Sequence, residues 1–112
     1  MAKFGVMKKM STWAKRTSFY YYGSVKRGTL IHFGKDYKYF LEITEEEYSK
    51  LLKHFHGLTV GIGTSKDNPA KGTLGEWVKD NIARNALPSY IGPILIKEKY
   101  AKKKGKTEIR FT

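Results

Sequence analysis

Cysteine is absent from this chain of 112 residues, and proline occurs only three times. The absence of cysteine excludes disulfide bonds, thiolate metal ligands and a cysteine nucleophile. No apolar run approaches the ~18 residues that a membrane-spanning helix needs, and the first residues lack the continuous apolar segment of a secretory signal. The composition therefore predicts a soluble, cytoplasmic protein that makes no contact with a membrane.

Acidic residues are also scarce, since 10 Asp and Glu stand against 22 Lys and Arg, for a net charge of +12. This exceeds the ~2 to 8 units that keep a small domain soluble. The first 38 residues hold nine basic side chains and one acid, Asp36, and the last sixteen hold seven basic side chains and two Glu. Lysine and arginine displace counterions from polyphosphates, so we expect a polyanionic partner, bound by one basic surface if the two ends converge.

The distribution of apolar residues predicts an α+β fold with one hydrophobic core. Residues 1–16 show no sustained period and are interpreted as a basic, flexible arm, and residues 17–112 as a single small domain. Runs rich in β-forming residues at 17–23, 29–33 and 37–43 predict an N-terminal antiparallel β-meander. In the third run, alternation predicts a core-facing set of Tyr37, Tyr39, Leu41 and Ile43.

Three helices and a short C-terminal strand are predicted to follow the meander. Thr44 with Glu47, and Thr73 with Glu76, have the spacing of capping boxes, and each precedes a helical apolar stripe. The segment 87–100 is the third helix, which Pro93 should kink or delay. A short strand is expected between the first two helices, and alternation in the last residues predicts a closing strand.

From Thr73 onward, the order of two helices, a basic turn and the closing strand EIRF resembles the C-terminal half of winged helix-turn-helix DNA-binding domains. In that family a recognition helix is followed by a hairpin wing with a basic tip. The resemblance implies that the recognition helix starts near Arg84, Asn85, Ser89 and Tyr90. It implies phosphate-binding wing residues at Lys102, Lys103, Lys104 and Lys106.

These observations predict a small basic protein that binds nucleic acid, with duplex DNA favoured, in a regulatory or architectural role. Arg84 and Asn85 are the candidates for base edges, because their side chains suit bidentate contacts. The candidate phosphate-binding residues are Lys97, Lys99, Lys102, Lys103, Lys104, Lys106 and Arg110. An alternative is a protein-interaction module that docks on an acidic partner protein through the same charges.

The run Tyr20, Tyr21 and Tyr22 predicts a second mode of nucleic-acid binding. Aromatic rings on a sheet can stack unpaired bases, while nearby cations such as Lys26 and Arg27 hold the backbone. Alternation turns Tyr21 inward with Phe19, so only Tyr20 and Tyr22 are candidates for a stacking platform. A purely structural role as strand residues is the competing interpretation.

Catalytic and metal sites are not expected, and no cofactor is predicted. His54 and His56 are two residues apart and do not share a helix face. The glycine-rich segment 63–72 lacks the order of a phosphate-binding loop, although the helix that follows could hold one phosphate at its N-terminus. No readable Ser-His-Asp arrangement occurs, so we predict that the protein is not an enzyme.

Overall fold

The computed structural model describes residues 7–64, 70–83 and 87–112, and these residues form two antiparallel sheets and three helices. The prediction of an α+β fold is therefore confirmed. The elements, in chain order, are β1 (Lys8–Ser11), β2 (Ser18–Ser24), β3 (Gly28–Phe33), β4 (Tyr39–Thr44), α1 (Glu45–Phe55), β5 (Thr59–Gly61), α2 (Leu74–Asn81), α3 (Pro88–Lys97), β6 (Ala101–Lys104) and β7 (Glu108–Phe111).

The first sheet contains β1, β2, β3 and β4 in that order, each antiparallel to its neighbour. Its last three strands are the predicted N-terminal meander. Phe19 and Tyr21 point to the inner face of β2 and are fully buried. Tyr20 and Tyr22, which alternate with them, are only partly buried. The predicted division of the tyrosine run between two faces is thus observed.

Strand β1 makes the segment around residues 8–13 part of the folded domain, in contrast to the predicted arm. It pairs with β2, and Trp13 just beyond it is 5% exposed. Strand β1 was not predicted because one of its inward positions is a lysine. Lys8 is half-buried, and its Nζ donates to the carbonyl of Gly23 at 2.6 Å. An inward lysine removes the apolar alternation that would predict a strand. Residues 1–6 lie outside the described residues.

The third strand of the meander starts later than predicted. Tyr37 closes a 3-10 turn, and Tyr39, the first residue of β4, is 54% exposed. Leu41 and Ile43 are on the core side as predicted. Tyr39 shares the face of Leu41 and Ile43, and its ring stacks on Phe33 at a centroid distance of 6.0 Å, but it is not buried because it ends an edge strand. The expectation for Tyr37 is wrong, since this residue lies outside β4 and its ring contacts Tyr20.

Helix α1 begins at the predicted capping box. The Thr44 Oγ1 accepts a hydrogen bond from the Glu47 amide at 3.1 Å, and the Glu47 carboxylate accepts one from the Thr44 amide at 2.9 Å. The helix buries Tyr48, Leu51 and Phe55. It ends before Gly57, which has a φ of 72°.

The second sheet has the order β5-β7-β6, again antiparallel. Strands β5 and β7 match the two short strands that the sequence predicts, and β6 is an additional one. The sequence AKKK of β6 carries lysine on both faces, so its alternation is not visible. Together β6 and β7 form a hairpin whose turn contains Gly105, with a φ of 66°.

Helix α3 contains Pro93 in its interior, and the helical assignment continues from Pro88 to Lys97. Proline has no amide hydrogen, so the carbonyl of Ser89 loses its usual partner four residues later in the helix. The backbone amide of Trp13 donates to that carbonyl at 2.9 Å. The chain after β1 therefore satisfies the acceptor that Pro93 leaves free, and this contact docks the N-terminal segment on the helix.

The C-terminal end of α3 is tied to the first sheet by Glu98. Its carboxylate accepts hydrogen bonds from the Tyr21 hydroxyl at 2.8 Å and from the Val25 amide at 2.9 Å. At the other end of the helix, Tyr90 packs edge-to-face on Phe19 at 5.1 Å. Helix α3 thus has its apolar side chains in the core and contacts both sheets.

We expect Gly92→Ala to lower the free energy of unfolding by about 1–3 kcal/mol through overpacking. A Cβ at this position would lie 2.8 Å from Cε3 of Trp13 and 3.0 Å from Cδ1 of Ile62. The gain in helix propensity from alanine, up to ~1 kcal/mol, opposes this cost. Urea unfolding would measure the change. In a Trp13→Phe background the loss should shrink, and an undiminished loss would show that Trp13 is not the obstacle.

Candidate nucleic-acid interface

The outward face of the β6-β7 hairpin carries the exposed cations of the candidate interface. Lys102 lies directly opposite Arg110, and Lys104 lies opposite Glu108. All four side chains are exposed. Among the described residues neither Lys102 nor Arg110 forms an ion pair. Like charges directly across two strands are destabilising, so this pair would be stabilised by an anion between the two side chains.

A shallow hollow lies next to this pair of cations. It is lined by Lys102 and Arg110, together with Gly57, Phe111 and Thr112. Glycine offers open backbone, and Thr112 offers a hydroxyl that already donates to the Tyr100 carbonyl at 3.1 Å. The arrangement can hold a singly or doubly charged oxyanion between an ammonium and a guanidinium group.

Lys103 and Lys106 are positioned by Trp13. The indole Nε1 of Trp13 donates to the carbonyl of Lys106 at 2.8 Å, which fixes the turn of the hairpin. The Nζ of Lys103 lies 4.8 Å from the centre of the indole ring and donates to the Trp13 carbonyl at 3.4 Å. Lys103 therefore belongs to the other face of the hairpin from Lys102 and Lys104, although the sequence groups the three together.

Cations from both ends of the chain meet at one groove. Lys15 from the N-terminal segment, Lys97 from α3 and Lys103 from β6 all line it. Its remaining lining is mainly apolar and includes Met10, Trp13, Pro93 and Ile96. The convergence on which the sequence argument depended is thus present for these three lysines.

The residues that the resemblance places on a recognition helix have different environments in the fold. Ser89 is half-buried and its carbonyl accepts from Trp13. Tyr90 packs against Phe19 and Phe33, and its burial raises the pKa of its hydroxyl. Both residues lie in the first turn of α3, where these contacts engage the Ser89 carbonyl and the Tyr90 ring. Arg84 and Asn85 lie outside the described residues.

Lys97 and Lys99 lie at the C-terminal end of α3 and are exposed. Lys97 lines the groove described above, whereas Lys99 has a left-handed backbone with a φ of 68° in the turn that leads to β6. Lys26 and Arg27 occupy the turn between β2 and β3, and Lys26 lines a separate hollow that also contains Glu45. The cations of the sequence prediction thus fall into more than one group.

Tyr20 and Tyr22 lie on the outer face of the first sheet, and the other rings of this face were not identified from the sequence. Tyr20 stacks on His32 at 4.7 Å and contacts Tyr37 at 5.1 Å, and His32 lies 5.8 Å from Phe40. The strand register Tyr20 to His32 to Phe40 sets this row. Alternation in the predicted strands would have indicated this row of rings if the pairing register between the strands had been known.

His54 and the glycine-rich segment, considered as possible metal or phosphate sites, make contacts within the fold. The ring of His54 packs on Trp77 at 5.9 Å, and no group of three His, Asp or Glu side chains in the described ranges could hold a metal ion. At the start of α2, the Glu76 amide donates to Thr73 and the Gly72 amide donates to the Glu76 carboxylate. These amides are therefore occupied by the cap. Part of the preceding loop, residues 65–69, lies outside the described residues.

Across residues 7–64, 70–83 and 87–112, none of the helices has the length and apolar character required to cross a bilayer. Neither a protein-family model, nor a curated protein, nor a solved structure matches this chain. The function is therefore inferred from the residues and their geometry.

Proposed function

We propose that this protein binds nucleic acid, with duplex DNA as the favoured ligand, through the outward face of the β6-β7 hairpin. The observation that carries the proposal is that Lys102 and Arg110 are exposed and face each other across two strands, with no ion pair to any described residue. Two further cations, Lys104 and Lys106, continue the basic surface into the turn. A phosphate placed between like charges relieves their repulsion, and each neutralised phosphate releases counterions.

The order of elements supports the resemblance to a winged helix-turn-helix domain. Helices α2 and α3 are followed by a hairpin with a lysine-rich turn. The main contacts with nucleic acid nevertheless come from the hairpin and not from α3, because the apolar residues of α3 are buried and Tyr90 packs on the first sheet. Contacts of this kind bind phosphates and carry little sequence information, which suits a regulatory or architectural role better than sequence-specific reading by a helix.

The rival function, docking on an acidic partner protein, is favoured by the apolar groove between Met10, Pro93 and Ile96. Lysines 15, 97 and 103 flank this groove, so an acidic segment with apolar side chains would fit its charge. A gel shift with random duplex, with and without heparin as a competing polyanion, separates the two functions. Absence of a shift at low salt would favour the protein partner.

The salt dependence of binding tests the proposed site. We expect the double variant Lys102→Ala/Arg110→Ala to reduce the slope of log K against log salt by about 1.8, since each lost phosphate contact contributes ~0.9. Fluorescence anisotropy with a labelled random duplex at several salt concentrations would measure it. The control is Lys50→Ala/Lys53→Ala, which removes the same charge from exposed positions of α1. Equal slopes for the two double variants would contradict the assignment to the hairpin.

A further inference from the structure

The outer face of the first sheet carries a continuous row of rings across β2, β3 and β4. Tyr22 contacts Tyr20 edge-to-face at 5.8 Å, Tyr20 stacks on His32 at 4.7 Å with an angle of 15°, and His32 approaches Phe40 at 5.8 Å. The inner face of the same sheet is used by the core, through Phe19 and Tyr21. This row therefore lies on the side of the sheet that points away from the helices.

Internal packing explains part of this row but not its end. Cross-strand aromatic pairs stabilise a sheet, which accounts for the half-buried rings of Tyr20, Tyr22 and His32. Phe40, however, is 66% exposed. A phenylalanine that buries so little of its ring contributes little to the core, so its exposed ring is available for a ligand.

The charges around the row select the type of ligand. Lys9 pairs in register with Tyr20, and its Nζ lies 5.9 Å from the ring centre of Tyr37. Lys38 lines the same hollow as Phe40, but its Nζ lies 5.3 Å from the ring of Tyr39, on the other face of β4. Glu42 on β4 is the acid that lies opposite Leu30 on this face. A row of rings with a cation beside it suits a ligand that has flat apolar groups joined by anionic links.

We propose that this face binds unpaired bases of single-stranded nucleic acid by stacking, with Phe40 as the main exposed platform and Lys9 near the phosphates. Stacking on aromatic side chains is tolerant of sequence, because every base has a flat face. The site is independent of the duplex-binding hairpin, and neither proposal requires the other.

Adjacent residues of β4 provide a matched test. Phe40 and Tyr39 are both more than half exposed, but they lie on opposite faces of the strand. We expect Phe40→Ala to weaken binding of an oligothymidylate of about twelve nucleotides by roughly 5- to 150-fold, the effect of losing one stacked base. Tyr39→Ala should change it less than twofold. Fluorescence anisotropy at about 50 mM salt would measure both affinities.

Two further measurements separate this site from the hairpin and from a simple folding effect. Phe40→Trp keeps a flat ring and should retain the affinity of the unaltered protein. Phe40→Ala should bind random duplex with unchanged affinity, whereas Lys102→Ala/Arg110→Ala should lose duplex affinity and keep most of its oligothymidylate affinity. Equal effects of Phe40→Ala and Tyr39→Ala, failure of Phe40→Trp to bind, or no association with oligothymidylate at low salt would each overturn the proposal.

Discussion

Trp13→Ala should lower the free energy of unfolding by about 3–5 kcal/mol, the range for truncation of a large buried aromatic side chain. The indole is 5% exposed and packs on Gly92 of α3. It also donates its Nε1 hydrogen to the Lys106 carbonyl at 2.8 Å. Alanine would leave a cavity between the N-terminal segment, the helix and the hairpin. Because total stability of such domains is about 5–15 kcal/mol, this loss is a large share of it.

Denaturation in urea, followed by circular dichroism, would measure this loss. Trp77→Ala is the matched control, since Trp77 is only partly buried on α2 and contacts His54 and Phe55. Trp13→Phe keeps most of the packing and loses the hydrogen bond to Lys106, so it should cost about 1–2 kcal/mol. A loss for Trp13→Ala no greater than that for Trp77→Ala would mean that the N-terminal segment does not support the domain.

Local signals in the sequence predict the helix starts well. The pairs Thr44 with Glu47 and Thr73 with Glu76 define caps because the interacting groups are three residues apart. At α2 the Glu76 carboxylate accepts from the amide of Gly72, whereas in an ideal capping box it would accept from the amide of the N-cap residue, Thr73. This difference changes one hydrogen bond of the cap, but the helix still begins where the sequence predicts.

Long-range contacts decide the features that the sequence conceals. Strand β1 and strand β6 have lysines at inward positions, and each lysine is satisfied by a distant partner: Lys8 by Gly23, and Lys103 by Trp13. The Ser89 carbonyl, which Pro93 leaves without a helical donor, similarly accepts from Trp13, 76 residues away along the chain. Hydrophobic periodicity reports only on neighbours along the chain, so it cannot reveal these partners.

The candidate sites follow the same division. The positions of Lys102 and Arg110 at the surface follow from their charge, but their direct opposition depends on the hairpin register. Alternation separates Tyr21 from Tyr20 and Tyr22, whereas the row that continues to His32 and Phe40 depends on the pairing of three strands. The exposure of a side chain and its face on one strand were thus predictable from the sequence. The pairing of strands that brings these side chains together into surfaces was not.

Alkaline pH should unfold this protein because two tyrosines are fully buried. Burial raises the pKa of Tyr21 above its ordinary value of 10, and its hydrogen bond to the Glu98 carboxylate raises it further. Burial likewise raises the pKa of Tyr48, although the hydrogen bond with Thr29 opposes this shift. Since the folded state holds these protons more tightly, their stabilisation is complete below pH ~10 and declines as the pH rises toward the folded pKa values.

Above pH 10, each buried tyrosine should reduce the free energy of unfolding with a slope that approaches about 1.4 kcal/mol per pH unit, so the pair contributes up to about 2.7 kcal/mol per unit. Urea unfolding at pH 7, 10, 10.5 and 11 would measure this slope. Tyr48→Phe loses the hydrogen bond with Thr29 and should be about 1 kcal/mol less stable at pH 7, yet its stability should decline less steeply above pH 10, by up to about 1.4 kcal/mol per pH unit. Tyr21→Phe/Tyr48→Phe should be flatter still. If the double variant declines as steeply as the unaltered chain, the alkaline transition originates in other groups, since phenylalanine has no proton to release.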